Sequence, residues 1–238
     1  MPKAHREWKV LPHKPIEQLS ENLWRVEGEL GDMPLGRVMT LARMEDGSVV
    51  VHNAMALGDE QMKQLEAWGE PKHILVPNGF HRLDAPVFKA RYPQAKVYAP
   101  AGSRAKVEEV LAVDGVYEDF TGDGRVSLTT LEGVGASEGV MTVRDQGEST
   151  VVLNDAVFNG PHVGGFKGFV LNHITGSTGG PKVSRIFRLF LMKHRAAFKA
   201  HLERLAATPN LKRIIVSHRD TISEAPEATL RAVAATLA

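Results

Sequence analysis

The chain has 238 residues, 43% of them hydrophobic, which is ample for a sizeable core in one large domain or two small ones. Lys and Arg number 29 against 28 Asp and Glu, so the net charge of +1 supplies no overall field that would select nucleic acid or an anionic membrane. The lack of cysteine excludes disulfides, thiolate metal ligands and a thiol nucleophile, and leaves His and carboxylates as the strong metal ligands.

Residues 1–21 read as a polar leader without the apolar core of a signal peptide, and no run reaches the roughly 18 apolar residues of a membrane span. A cytoplasmic location and no transmembrane segment are the default expectations. NLWRVEG, GRVMTLARM and GSVVVHNAM follow as three β segments, with Asp46-Gly47 as a hairpin turn between the last two. Next come a helix (GDEQMKQLEAWG), a strand (HILV), a helix with Asp84 as its candidate N-cap (DAPVFKARY), a strand (AKVYAP) and a helix (SRAKVEEVLA). From about Val116 the β pattern returns in VYEDF, RVSLTTLEG, GVMTVRD and STVVLNDAVF. The glycine-rich run from Asn159 to Gly180 has no clear periodicity and reads as a functional or mobile loop. A long helix near Ser184 to Leu205, the strand RIIVS and the helix PEATLRAVAATLA close the chain, with no convincing boundary between domains, so one domain over residues 1–238 is expected.

HILVPNGFHRL, His73 to Leu83, is a short apolar strand that runs into Pro-Asn-Gly and a histidine, and loops at the ends of buried strands are where α/β proteins place their chemistry. These segments in this order resemble the metallo-β-lactamase superfamily from roughly Asn22 onward. The resemblance implies an α/β fold, a four-layer αββα sandwich in which loops at the strand ends hold one or two metal ions. The family pattern T-H-x-H-x-D-H falls here on P-N-G-F-H-R-L. Asn78 and Phe80 replace the first two histidines, Arg82 the aspartate and Leu83 the last histidine. P-G-H-T-P-G aligns with V-G-A-S-E-G, which puts Ala136 on another metal histidine. Two ligand positions are kept: Asp155 in N-D-A-V-F, and His218 in I-I-V-S-H. More closely, the chain is similar to an uncharacterised branch with P-N-x-x-H at the loop (Pro77, Asn78, His81), a later Glu (Glu138) and an L-x-x-D-x-x-F-N segment, matched with slightly different spacing by Leu153 to Asn159.

Asp155 and His218 alone do not make a catalytic zinc site, which takes three protein ligands and an open water position. His81 is the candidate third. It stands one residue past the family's second histidine, an offset that on a regular strand aims it away, but after Pro77-Asn78-Gly79 a regular strand is not expected. One reading is thus a single weakly bound divalent metal, zinc first, on Asp155, His218 and His81. A second is metal-free, with Asp155 fixing the His218 tautomer so that the imidazole acts as a general base. A third makes both residues structural.

Asn78 reads as a turn residue that could contact a substrate carbonyl, and Glu138 as a turn or solvated carboxylate that could act as an acid. His162 and His173 read as loop histidines with a candidate role in substrate contact. His52 lies at a strand end, and His194 and His201 fall on a solvated helix face. That helix sets Ile186, Phe187, Phe190 and Leu191 among Lys182, Arg185, Arg188, Lys193 and Arg195. The pattern reads first as core packing with a basic outer face, then as a membrane-interface helix or a homodimer contact. The functional expectation is a hydrolase-like protein with a degraded site, no dinuclear zinc and no β-lactamase activity, its partner a small-molecule substrate; the alternative is a non-catalytic ligand-binding or protein-interaction module.

Overall fold

The computed structural model describes residues 4–31 and 33–237. Its first sheet grows by sequence neighbours. β1 (Glu17–Ser20), β2 (Leu23–Leu30), β3 (Met33–Arg43) and β4 (Val49–His52) run antiparallel. β5 (Pro71–Leu75), β6 (Lys96–Ala99) and the short β7 (Gly115–Val116) then add in parallel. Gly47 makes the β3–β4 turn at φ 81°, a left-handed conformation that costs glycine little. The parallel crossovers contain α1 (Asp59–Trp68), α2 (Ala85–Arg91) and α3 (Arg104–Glu108). In the second sheet β8 (Val126–Thr130), β9 (Gly139–Asp145) and β10 (Glu148–Val152) are antiparallel, and β11 (Leu211–Ile215) joins β10 in parallel. α4 (Gly165–Phe169) and α5 (Arg195–Ala206) lie between β10 and β11, and α6 (Pro226–Ala235) ends the described chain.

Strand alternation turns this order into four layers, because successive side chains leave a strand on opposite faces. Val49 and Val51 pack with Met62, Leu65 and Phe88 of the first helical layer, while Val50 faces the other way with Leu75, Met141 and Ile215, between the sheets. Val151 and Ile214 pack with Phe198, Leu202, Leu230 and Val233 of the second helical layer, and their neighbours Val152 and Ile215 again face between the sheets. The result is the expected αββα sandwich.

Several local expectations are corrected. The polar stretch expected over residues 1–21 is described from residue 4 and packs on the domain, while residues 1–3 lie outside the described residues. Trp8 donates its indole N–H to the Leu57 carbonyl at 3.0 Å and packs on Phe88, and residues 17–20 form β1. VYEDF contributes only an end of β7 before a 3₁₀ turn, whose N-terminal N–H the Asp119 carboxylate accepts. Asp84 does not cap α2 through its side chain. Its buried carboxylate accepts the Ala56 N–H at 3.0 Å and pairs with Arg37 Nη1 at 2.7 Å and His5 Nδ1 at 2.6 Å. The glycine-rich run is helical in part, with α4 passing into a π-helical turn, Val170–Thr175. The expected helix Ser184 to Leu205 is broken. A π-helical turn, Phe187–Leu191, ends where the backbone N–H groups of Lys193 and His194 both donate to the Gly133 carbonyl, and α5 starts only at Arg195. Residue 238, the last of the expected closing helix, lies outside the described residues.

Candidate functional site

The loop after β5 is built by Asn78. Its Oδ1 accepts the backbone N–H groups of Phe80 at 2.8 Å and His81 at 3.1 Å, a local turn that competes with strand geometry. The same turn swings His81 toward the ends of β10 and β11. There its Nε2 lies 3.0 Å from Oδ1 of Asp155, and Nε2 of His218 lies 3.1 Å from that same oxygen. One donor atom from each of the three residues lies within 4.8 Å of the other two.

The outer nitrogens fix how the rings face. Val38's carbonyl can only accept, so Asn53 gives it Nδ2 at 2.8 Å and presents Oδ1 to His81 Nδ1 at 3.1 Å. Gly36's carbonyl likewise takes the His218 Nδ1 proton at 2.8 Å. Both imidazoles therefore carry a proton on Nδ1 and turn Nε2 to Asp155. A ring with no second proton presents a lone pair there, the form that binds metal; a ring with one presents an N–H, the form that pairs with a carboxylate. Phe158 stacks on His218 at 5.2 Å and 4°. Burial makes the Asp155 charge costly, but the His81 and His218 imidazoles outweigh that and hold its carboxyl well below the usual carboxylate range.

This donor set suits one zinc ion: two imidazole nitrogens and a carboxylate oxygen, oriented by carbonyl acceptors behind them. Zinc bonds of about 2.0–2.1 Å in a tetrahedron place donors about 3.3 Å apart, close to the 3.0 and 3.1 Å from the Asp155 oxygen to the two Nε2 atoms. Among the described residues, no second group of three His or carboxylate side chains converges in this way. Asn78 Nδ2 donates to Asp155 Oδ2 at 2.7 Å, which occupies the oxygen that a bridging carboxylate would offer a second ion.

The other expected residues fall in different places. Glu138 is not solvated. It is buried, accepts the Ala156 N–H at 2.8 Å, and is pushed well above the ordinary glutamate range by burial and then by the charge of Asp155. His52 is buried at the end of β4 with no partner for either nitrogen among the described residues, and burial, then His81, lower its pKa to about 3. His162 and His173 are exposed and do not line the cavity. His194 is exposed, but His201 is buried and accepts the Glu132 N–H, because α5 turns that side toward the second sheet.

Asp155, His81 and His218 lie at one side of a cavity of about 370 Å³ whose other walls are mainly apolar, among them Leu30, Leu35, Leu83, Leu171, Phe187 and Leu191. Arg37 and Asn53 also line it, and neither was singled out from sequence. Each had a visible signal: a charged residue inside the apolar strand GRVMTLA, and an Asn directly after a strand end.

No family model and no curated protein sequence matches the chain. Solved structures do. It is similar to the DIM-1 metallo-β-lactamase exposed to ceftazidime, with a TM-score of 0.62, 11% identity, and 97% of this chain and 100% of that one covered. The chain has the metallo-β-lactamase fold. The FIM-1 enzyme from Pseudomonas aeruginosa in its mono-zinc form gives a TM-score of 0.60 at 12% identity, covering 96% of this chain and 97% of its own. A metallo-β-lactamase from Erythrobacter litoralis with β-mercaptoethanol in its active site gives 0.60 at 14%, with 93% and 96% covered.

Proposed function

We propose that this protein is a hydrolase-like enzyme for a largely apolar small molecule, working with one divalent cation, zinc first, and without dinuclear zinc or β-lactamase activity. The observation that carries this is the convergence of His81 and His218 on a single oxygen of Asp155 at the wall of an apolar cavity. His81, His218 and Asp155 would hold the ion. Bound there, a zinc ion supplies a Lewis acid and a more acidic water. The protein's own groups do the rest. The apolar walls hold the substrate body and exclude bulk water, while Asn53 and the Gly36 carbonyl keep both Nε2 atoms aimed at the reacting region. Asn78 fixes Asp155 from behind, so the carboxylate cannot rotate when a ligand arrives. A known mono-zinc form of a protein with this fold supports a one-ion reading.

The test is elemental analysis of protein purified without chelator, then zinc calorimetry of wild type, His81→Ala and His218→Ala beside esters of increasing acyl length. One equivalent is expected, with affinity falling by about 100-fold or more in either variant because a ligand is lost. Two tightly bound equivalents would overturn the one-ion site. A wild type that binds acyl compounds but neither zinc nor hydrolysable ester would instead identify a non-catalytic binding module.

A further inference from the structure

The charge of this chain is balanced only in total. Residues 156–202 contain seven Lys and Arg and no Asp or Glu, which leaves 22 basic against 28 acidic residues elsewhere. The same segment holds most of the large apolar side chains left in solvent. Phe166 is 83% exposed, Leu189 75% and Phe190 62%, and Phe169, Ile174 and Ile186 are exposed with them. They project from two adjoining helical turns, tied together by Arg185 Nη1 donating to the His173 carbonyl. Of the apolar stripe expected to face the core, Phe187 alone is fully buried. Ile186 and Phe187 also line the cavity, as do the exposed Met33 and Phe80, so the exposed apolar segment and the candidate site share a wall.

From this we infer that the face formed by residues 166–195 docks on an anionic lipid bilayer, seating Phe166, Phe169, Leu189 and Phe190 among the acyl chains with the cavity mouth toward the membrane. An apolar patch of this kind needs a cover. A second copy of the chain is disfavoured, since a two-fold contact would set this carboxylate-free basic segment against itself. A lipid surface matches both properties: acyl chains take the aromatic and aliphatic side chains, and anionic headgroups match the basic character of the segment, which exposes Arg185 and Lys193 beside the apolar side chains. No helix among the described residues is long and apolar enough to cross a membrane, so attachment through this face is peripheral. Docking does not depend on the metal site, and its test leaves that site untouched.

The experiment is flotation of the full chain with vesicles of phosphatidylcholine alone or with about a third phosphatidylglycerol, at low salt and at about 0.5 M NaCl. Strong binding to the anionic vesicles is expected, with weak binding to the neutral ones and a loss on adding salt. Leu189→Glu and Phe190→Glu replace exposed side chains, so circular dichroism should be unchanged while the partition coefficient falls by about tenfold or more. Wild type that stays off anionic vesicles at low salt overturns the inference, as does binding that both variants retain. Sedimentation equilibrium supplies the other overturning result: a dimer that Leu189→Glu disperses would assign the face to a second copy.

Discussion

The amide nitrogen of Asn78 stands 2.7 Å from Oδ2 of Asp155, so the residue that takes the place of the first family histidine now holds half of the carboxylate. Asn78→Asp separates its two roles. The variant keeps an acceptor for the Phe80 and His81 N–H groups but sets a second negative charge beside Asp155. Thermal unfolding should fall by about 2 kcal/mol without metal, and zinc should restore more stability than it gives wild type, because the ion relieves the repulsion. Equal zinc-induced shifts in both proteins would count against a cation at Asp155.

Asn53 sits at φ 58° and accepts from His81 Nδ1. Asn53→Gly and Asn53→Ala both delete that acceptor, but only alanine also strains the left-handed backbone. Calorimetry should find the same loss of zinc affinity in both, about 10- to 100-fold, while urea unfolding makes Ala about 1 kcal/mol less stable than Gly. Unchanged affinity in both would mean that the orientation of His81 is set elsewhere.

His52 gives the pH dependence its sign. Its folded pKa is lowered to about 3 by burial and by His81, below the ordinary value near 6.5, so the unfolded chain binds the extra proton between the two. The stability it contributes is therefore full above the unfolded pKa and is lost as pH falls toward the folded one. His52→Leu should remove about one proton from the slope of unfolding free energy between about pH 6 and pH 4, roughly 1.4 kcal/mol per pH unit. Parallel slopes for the two proteins would show that His52 is not kept neutral by the fold.

Gly139 faces the ring of the buried Tyr117: a Cβ there would lie 1.8 Å from Cε2. Gly139→Ala should cost about 3 kcal/mol in urea unfolding, since neither β9 nor the ring has room to move, and adding Tyr117→Leu should recover part of it. A single variant as stable as wild type would mean that the inter-sheet packing is looser than these contacts.

The order of strands and helices was legible from periodicity, while the four-layer arrangement was implied by the family resemblance. The valines of VVVH and the isoleucines of RIIVS announce strands covered on both faces, and helical periodicity between them announces crossovers. Asp155 and His218 were legible as positions at strand ends. Their contact with His81 was only half legible, since it depends on an Asn78 turn whose hydrogen bonds reach two and three residues ahead. Glu138 and His201 were misjudged for a common reason: their surroundings come from residues distant in sequence, Asn78 pairing beside Glu138 and the Glu132 N–H donating to His201. The break before α5 was hidden because it is made by the Gly133 carbonyl, some 60 residues away.

The first sheet pairs each strand with its predecessor, whereas β11 must find β10 across the whole segment that separates them. During synthesis the early strands can therefore associate as they emerge, with His81 already on its turn, while the carboxylate it faces is not yet made. His218 arrives later still, just beyond β11. Long-range pairing of this kind is slow because loop closure precedes its reward. The cluster is thus a record of completed folding, and a chain halted before residue 218 can build most of the scaffold while holding an imidazole and a carboxylate whose third companion has not been translated.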